Sequence, residues 1–152
     1  MTAKPPQVRS LAQRRADVQQ KLASEQDAWV ASADASGAVH LVPLSFAWVG
    51  GRVVLATPGS SRTARNLRRT GWVRLALGPT RDVVIVEGTL HEQATNADPR
   101  LAEQHAAAVG FDAREEPGYV FFIVTPQRIQ AWRTPAELPG RDVMRDGIWL
   151  EE

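Results

Sequence analysis

Apolar and polar residues alternate over several short stretches of the chain, which predicts a protein built mainly from β-strands. The clearest alternation covers residues 72–77, where Trp72, Arg74 and Ala76 fall on one face and three aliphatic residues on the other. Residues 83–90 form a run rich in β-branched side chains, which is typical of a buried strand. Six or seven strands are expected, at 28–33, 39–48, 52–57, 72–77, 83–90, 119–125 and 128–133.

Glycine and proline mark the connections between these strands. Gly50-Gly51 suits a two-residue hairpin because glycine tolerates the positive φ that both positions require. Residues 34–37 have the composition of a turn, so the first three strands are expected to form an antiparallel meander. Two further turns are expected, at Pro126-Gln127 and at Asp146-Gly147.

The N-terminal part of the chain predicts a helix that lies on a larger body. Residues 1–7 are polar, include two prolines and are expected to be a disordered tail. Residues 8–25 are rich in helix formers and carry a narrow apolar stripe on an otherwise charged surface. Because 8–152 contains no linker and no repeat, a single domain is expected there. The stripe consists of Leu11, Arg15, Val18 and Leu22.

Two shorter helices are expected between strands. Residues 62–69 follow a Pro-Gly-Ser-Ser segment that can cap a helix, and Ala64 and Leu67 are expected to face inward. Asp98 can cap another helix over 99–109, with a proline in its first turn and a glycine after its end. Short strands interrupted by short helices favour a mainly β protein, in one closed or half-closed antiparallel barrel.

Composition excludes several classes of protein. The 152 residues contain no cysteine, which excludes disulfides, cysteine-ligated metals and thiol nucleophiles and suits a cytoplasmic location. No apolar run approaches the ~20 residues that cross a bilayer, and no secretory signal is recognisable. The net charge of +1 provides no general field for nucleic acid. The three histidines are widely spaced and form no ligand motif, so no metal site is expected.

One stretch has the chemistry of an anion site. A predicted strand ends at Thr57, a Pro-Gly-Ser-Ser loop follows, and Ser61 opens a helix whose first residues include Arg62 and Arg65. Unpaired amides at a helix start, hydroxyls and guanidinium groups can together hold a phosphate. The alternative interpretation is a capped surface helix with solvated arginines, and local chemistry alone favours neither.

The same stretch resembles the pyridoxamine-phosphate-oxidase-like flavin and deazaflavin reductases, which share the FMN-binding split barrel. The resemblance covers residues 25–132. Around the helix, it rests on the Gly-Gly hairpin, the Ser61-Arg62 pair and the sequence at 65–69. In the strands, it rests on Val-Pro-Leu-Ser-Phe at 42–46 and on the strand end Val-Glu-Gly at 86–88. It implies an antiparallel split β-barrel that forms a homodimer and binds FMN or the deazaflavin coenzyme F-420 at the subunit interface.

The resemblance also implies roles for individual positions. Thr57, Ser61 and Arg62 match residues that hold the cofactor phosphate and ribityl chain, and Arg65 and Asn66 can brace the loop or add a cation. The strand that runs along the ring system corresponds to Leu41, Val42 and Pro43.

The sequence departs from the family pattern at two positions. Thr63 stands where many members have a phosphate-binding lysine, and Val83 stands where the oxidase has an amide that reaches the ring. The substrate-phosphate arginine of a true pyridoxamine phosphate oxidase is not recognisable, which argues against that activity. An F-420 oligoglutamyl tail would require basic residues, for which the candidates are Arg68, Arg69, Arg9, Arg14, Arg15 and Lys21.

The function predicted on this basis is hydride transfer between the bound cofactor and a small-molecule substrate, because in such proteins the cofactor carries the chemistry. Two alternatives remain: a cofactor-binding carrier or sensor without turnover, and a polyanion-binding barrel that uses the arginine-rich helix. Trp29, Trp48 and Trp72 are expected to pack in the core or in an interface, and Trp132 either packs similarly or lines the ring pocket of a partner subunit.

Overall fold

The computed structural model describes Ala3 and residues 7–152. The predicted disordered tail at 1–7 lies almost entirely outside these residues. Within them, no helix combines the length and the apolar character needed to cross a membrane.

Six antiparallel strands close into a barrel, and two short strands extend its sheet. Following the order β3-β2-β1-β4-β5-β6, each strand pairs with the next, and β6 pairs back with β3 to close the barrel. This confirms the mainly β split-barrel expectation and the antiparallel meander of the first three strands. The strands are β1 Asp27–Ala33, β2 Val39–Val49, β3 Arg52–Pro58, β4 Trp72–Leu77, β5 Val83–Ala94, β6 Tyr119–Trp132, β7 Asp142–Arg145 and β8 Ile148–Trp149.

The described residues form three α-helices, two of them where capping signals predict them and the first within the stretch 8–25 that composition predicts. They are α1 Leu11–Ser24, α2 Arg62–Thr70 and α3 Pro99–Val109. The caps are side-chain oxygens, because Ser10 accepts a hydrogen bond from the amide of Gln13, and Asp98 accepts one from the amide of Leu101. Two 3-10 helices, Ala113–Glu115 and Pro135–Gly140, complete the fold.

The main core fills the barrel and includes residues from α1 and α2. Val18 and Leu22 of α1 are buried, as are Ala64 and Leu67 of α2, which confirms the inward face predicted for each helix. On α1 the buried basic residue is Arg14, whereas Arg15 of the predicted stripe is only half-buried. A second cluster lies between α3 and the outer side of β2, β3 and β6.

The turn predicted at Pro126-Gln127 is wrong, because β6 runs through both residues as one strand. β5 pairs with β6 along its whole length and extends to Ala94, beyond its predicted end at residue 90. The register shifts between Glu87 and Gly88, and Gly88 lies opposite Pro126. A proline inside a sheet is tolerated at such a bulge, where the ladder is already interrupted. The turn at Asp146-Gly147 is confirmed as the hairpin between β7 and β8.

Candidate functional site

Two hydroxyl groups meet where β3 passes into α2. Thr57 lies at the end of β3 beside β6, and its Oγ1 is 3.2 Å from Oγ of Ser61. The Ser61 oxygen also accepts a hydrogen bond of 3.0 Å from the amide of Ala64, so it is the N-cap of α2. Thr57 is buried and Ser61 half-buried, which places Thr57 at the floor of this corner and Ser61 nearer to solvent.

The start of α2 presents donors without acceptors. The amides of Arg62 and Thr63 in the first turn have no acceptor among the described residues. The first turn contains no acidic residue, so nothing there offsets the positive end of the helix dipole. The Arg62 side chain is exposed and forms no ion pair or hydrogen bond within the described part of the chain. This corner, made by Thr57, Ser61 and the start of α2, can therefore hold an anion.

The other arginines of α2 already have partners. Arg65 donates to the carbonyl of Ser60 at 2.6 Å, and Arg69 donates to the carbonyl of Ala33 at 2.8 Å. Arg68 forms an ion pair with Glu92 and also donates to the carbonyl of Gly59. The Arg68 guanidinium lowers the pKa of Glu92. The contacts of Arg65 and Arg68 brace the loop before α2, and that of Arg69 ties the helix to the end of β1. Within the described residues they leave Arg62 as the uncommitted guanidinium of this helix.

Thr63 and Asn66 lie on the buried side of α2. Both are almost fully covered, and Nδ2 of Asn66 donates to Oγ of Ser32 on β1 at 3.1 Å. Asn66 therefore fastens α2 to β1 of the barrel. The loop before α2 is fixed to the residue that precedes β6, because the amide of Gly59 donates to the carbonyl of Gly118 at 2.8 Å.

The predicted ring-contact strand, β2, is the direct neighbour of β3 in the barrel. Val42 lies opposite Val30 of β1 and is half-buried, whereas Leu41 and Pro43 face outward and are exposed. The pairing of β2 with β3 ends at Phe46 opposite Leu55, so residues 41–43 lie beyond the paired part of the two strands. On its other side, β3 pairs Thr57 with Val120 of β6.

Leu41 belongs to a larger exposed apolar surface. Its large side chains come from the neighbouring strands β2, β1 and β4, and between 39 and 76% of each is exposed. Of the two alternatives predicted for the tryptophans, Trp48 packs against the core, whereas the exposure of Trp29 and Trp72 leaves an interface as the remaining prediction for them. We call this surface the outer apolar face and define it by Trp29, Val39, Leu41 and Trp72.

Residue-by-residue reasoning missed the outer apolar face. Alternation indicates which side of a strand is buried, but it does not show that apolar residues on the opposite sides of three strands lie together. The available signal was that the outward positions of β1, β2 and β4 also carry large apolar residues.

Most basic residues proposed for an oligoglutamyl tail have protein partners. Arg9 pairs with Glu137 and Asp17, and Lys21 pairs with Asp82. Arg14 forms no ion pair among the described residues. The described part of the chain contains no group of three or more histidine, aspartate or glutamate side chains placed to hold a metal ion.

Comparison with known proteins identifies the wider family. The sequence pattern described as pyridoxamine 5'-phosphate oxidase matches residues 15–133. No curated protein matches the chain.

The solved structures similar to this one share its fold. A conserved hypothetical protein from Mycobacterium tuberculosis is 19% identical, with a TM-score of 0.66 over 88% of this chain and 90% of that one. A FAD-binding protein from Mesorhizobium loti is 17% identical, with a TM-score of 0.63 over 76% and 89%. An F420 reductase is 13% identical, with a TM-score of 0.60 over 73% and 94%.

Proposed function

Because the chain belongs to the pyridoxamine 5'-phosphate oxidase family, we propose that it is an oxidoreductase that binds FMN or the deazaflavin coenzyme F-420. Both candidate cofactors carry a phosphoryl group, and the corner between β3 and α2 offers donors for one. The observation that carries the proposal is the uncommitted Arg62 beside the hydroxyl pair and the unpaired amides of α2.

The residues of the corner would divide the work of binding. Ser61 and the first-turn amides donate hydrogen bonds to phosphoryl oxygens, and Arg62 adds a charge-assisted bond. The buried hydroxyl of Thr57 contacts the Ser61 hydroxyl and orients it. Arg65 holds the loop before α2, and Asn66 holds the helix against the barrel. When bound, the cofactor supplies a ring that accepts or releases hydride.

Thr63 remains a departure from the family pattern. Threonine carries no charge, and because Thr63 is 3% exposed it also adds little accessible surface to the corner. Arg62 is therefore the main cation for the phosphoryl group, and we expect binding to depend on it strongly.

We also propose that a second copy of the chain covers the outer apolar face. Exposed tryptophans and aliphatic residues on three neighbouring strands form a contiguous surface of the kind that marks interaction sites. Leu41 and Pro43 lie on this surface, so a ring running along β2 would also lie beside the partner subunit.

Titration of the purified protein with FMN and with F-420, followed by ligand fluorescence, tests the proposal. Arg62→Ala should weaken binding of the preferred cofactor by about tenfold or more, since one charge-assisted hydrogen bond is lost. Arg81→Ala is the matched control, because Arg81 is also exposed and lies in the turn between β4 and β5. Equal affinity of the two variants would remove Arg62 from the site.

A second measurement separates an enzyme from a carrier. The loaded protein is mixed with electron donors and acceptors, and oxidation or reduction of the bound ring is followed by absorbance. Hydride transfer supports the oxidoreductase, whereas tight binding with no transfer to any acceptor identifies a carrier or sensor.

A further inference from the structure

A second cleft lies between α1 and the C-terminal segment, away from the corner of β3 and α2. Its volume is about 380 Å³, within the range of small-molecule pockets. Arginines from α1, β6 and the segment around β7 line it, together with leucines from α1, the second 3-10 helix and the C-terminal residues. We call it the arginine cleft, with Arg14, Arg128, Arg141 and Arg145 as its basic residues.

Two of these arginines share the acidic residue of the cleft. Arg128 and Arg145 each lie 3.0 Å from the carboxylate of Asp142. Other carboxylates nearby are also engaged, since Glu152 accepts from the amide of Leu11, and Glu151 lies 3.9 Å from Arg15. Arg14 and Arg141 consequently have no counter-ion among the described residues.

Arg14 is the most unusual of the four. Its side chain is buried, and one of its terminal nitrogens donates to the carbonyl of Gly140. Its buried Nε has no acceptor in the part of the chain that the structure describes. A buried charge without a counter-ion is costly, and so is an unsatisfied buried donor. Arg9, which lies on the same side of the molecule, has two carboxylates as partners, so the fold does supply counter-ions close by.

Arg141 is held in place beside Arg14. It donates to the carbonyl of Leu138 at 3.0 Å, and its guanidinium carbon lies 6.0 Å from the centre of the Trp132 ring. Both contacts restrict the side chain without neutralising it. A guanidinium fixed in this way binds an oxyanion at a lower entropic cost than a free one.

We propose that the arginine cleft binds a small organic acid. Arg14 and Arg141 hold its carboxylate or phosphate group, and the leucines of the cleft contact its apolar body. The two oxyanions share the acceptor geometry that a guanidinium recognises. The proposal does not depend on the phosphoryl site, because the corner between β3 and α2 consists of other residues. Among the cleft arginines, Arg14 was also a candidate for the F-420 tail, whereas Arg141 was not.

The test follows the Nε–H signals of the arginines by NMR during titration with benzoate and with phenyl phosphate. Saturable shifts of the Arg14 and Arg141 signals are expected with at least one of them, and the tighter ligand identifies the preferred oxyanion. Arg14→Gln and Arg141→Gln should each weaken binding about tenfold or more. Arg81→Gln removes the same charge at an exposed turn and should bind as the wild type does.

Two further probes each carry one half of the ligand: benzyl alcohol has the apolar body without the oxyanion, and inorganic phosphate has the oxyanion without the apolar body. Each should bind about tenfold more weakly than the organic acid, or weaker still. Equal binding of either probe would overturn the proposal, and so would unmoved Arg14 and Arg141 signals. If Arg14→Gln does not fold, Arg141→Gln decides the question, because Arg141 is only half-buried. Unchanged affinity in that variant would also overturn the proposal.

Discussion

Ser61 combines a structural role with a proposed binding role in one oxygen atom. Its Oγ caps α2 through the amide of Ala64 and lies beside the hydroxyl of Thr57. The two roles can be separated with one substitution that removes both and another that keeps the cap and removes only binding.

Ser61→Ala should lower stability and Ser61→Asp should leave it almost unchanged, whereas both should weaken cofactor binding. Alanine removes the cap and should cost about 1 kcal/mol, whereas aspartate is as good a cap as serine. Both should weaken binding of a phosphorylated cofactor, alanine by loss of a donor and aspartate by charge repulsion. Urea unfolding and ligand titration measure the two effects. Retained cofactor affinity in Ser61→Asp would contradict the proposed anion site.

His105 is a buried base. Neither of its ring nitrogens has a hydrogen-bond partner among the described residues, and the ring contacts Phe111 and Phe121 edge-on. Burial lowers its pKa from 6.5 to about 4, so the imidazole is neutral in the folded protein at neutral pH.

Acid should therefore destabilise the fold through this residue. Below pH 6.5 the unfolded chain takes up a proton at His105 that the folded chain does not bind until about pH 4. The resulting loss of unfolding free energy is about 3 kcal/mol across this window. Urea unfolding between pH 4 and 7 measures it. His105→Leu should reduce the slope of the unfolding free energy against pH, whereas His91→Leu, at an exposed position, should not. Identical slopes in the two variants would refute the assignment of the acid sensitivity to His105.

At the scale of elements, one carboxylate joins the start of the chain to the second 3-10 helix. Glu137 is 2% exposed and accepts hydrogen bonds from the amide and guanidinium of Arg9 and from the amide of Arg133. The side-chain hydrogen bonds from Arg9 lower the pKa of Glu137 to about 2. This carboxylate holds the segment that precedes α1 against the barrel.

Glu137→Gln should destabilise the protein by about 3–5 kcal/mol, because it leaves Arg9 with an incomplete set of buried partners. Glu103→Gln, at an exposed position on α3, is the control and should change stability little. In the wild type the contribution of Glu137 is present above pH 4.5 and is lost as pH falls towards 2. Thermal unfolding of both variants tests this, and equal melting temperatures would contradict it.

The elements themselves were largely predictable because their signals are local. Gly50-Gly51 forms the expected hairpin, with positive φ at both residues, and Asp98 and Gly110 mark the ends of α3. The break expected at Pro126 was wrong because β6 pairs with β5 on both sides of this proline. The bulge between Glu87 and Gly88 lies opposite Pro126, so the missing proline N–H interrupts the ladder only locally and the strand continues.

At the scale of the whole molecule, the outer apolar face determines the expected assembly. Trp72→Glu places a charge on this face without changing Thr57, Ser61 or Arg62, so it should convert a dimer into monomers. Sedimentation velocity measures the change. Ile148→Glu is the control, because Ile148 is 68% exposed on β8 and lies outside the face. A monomeric wild type at micromolar concentration would refute the proposed dimer.

Local sequence by itself determined the hairpin turns at Gly50-Gly51 and Asp146-Gly147 and the caps of α2 and α3, because those features depend on hydrogen bonds within a few residues. Only the tertiary structure decided that β3 closes the barrel against β6, which places Thr57 beside Val120. It also decided which arginines are neutralised, since Arg68 meets a carboxylate 24 residues away while Arg62 meets none among the described residues. Such partners depend on the packing of distant segments, which no local pattern encodes.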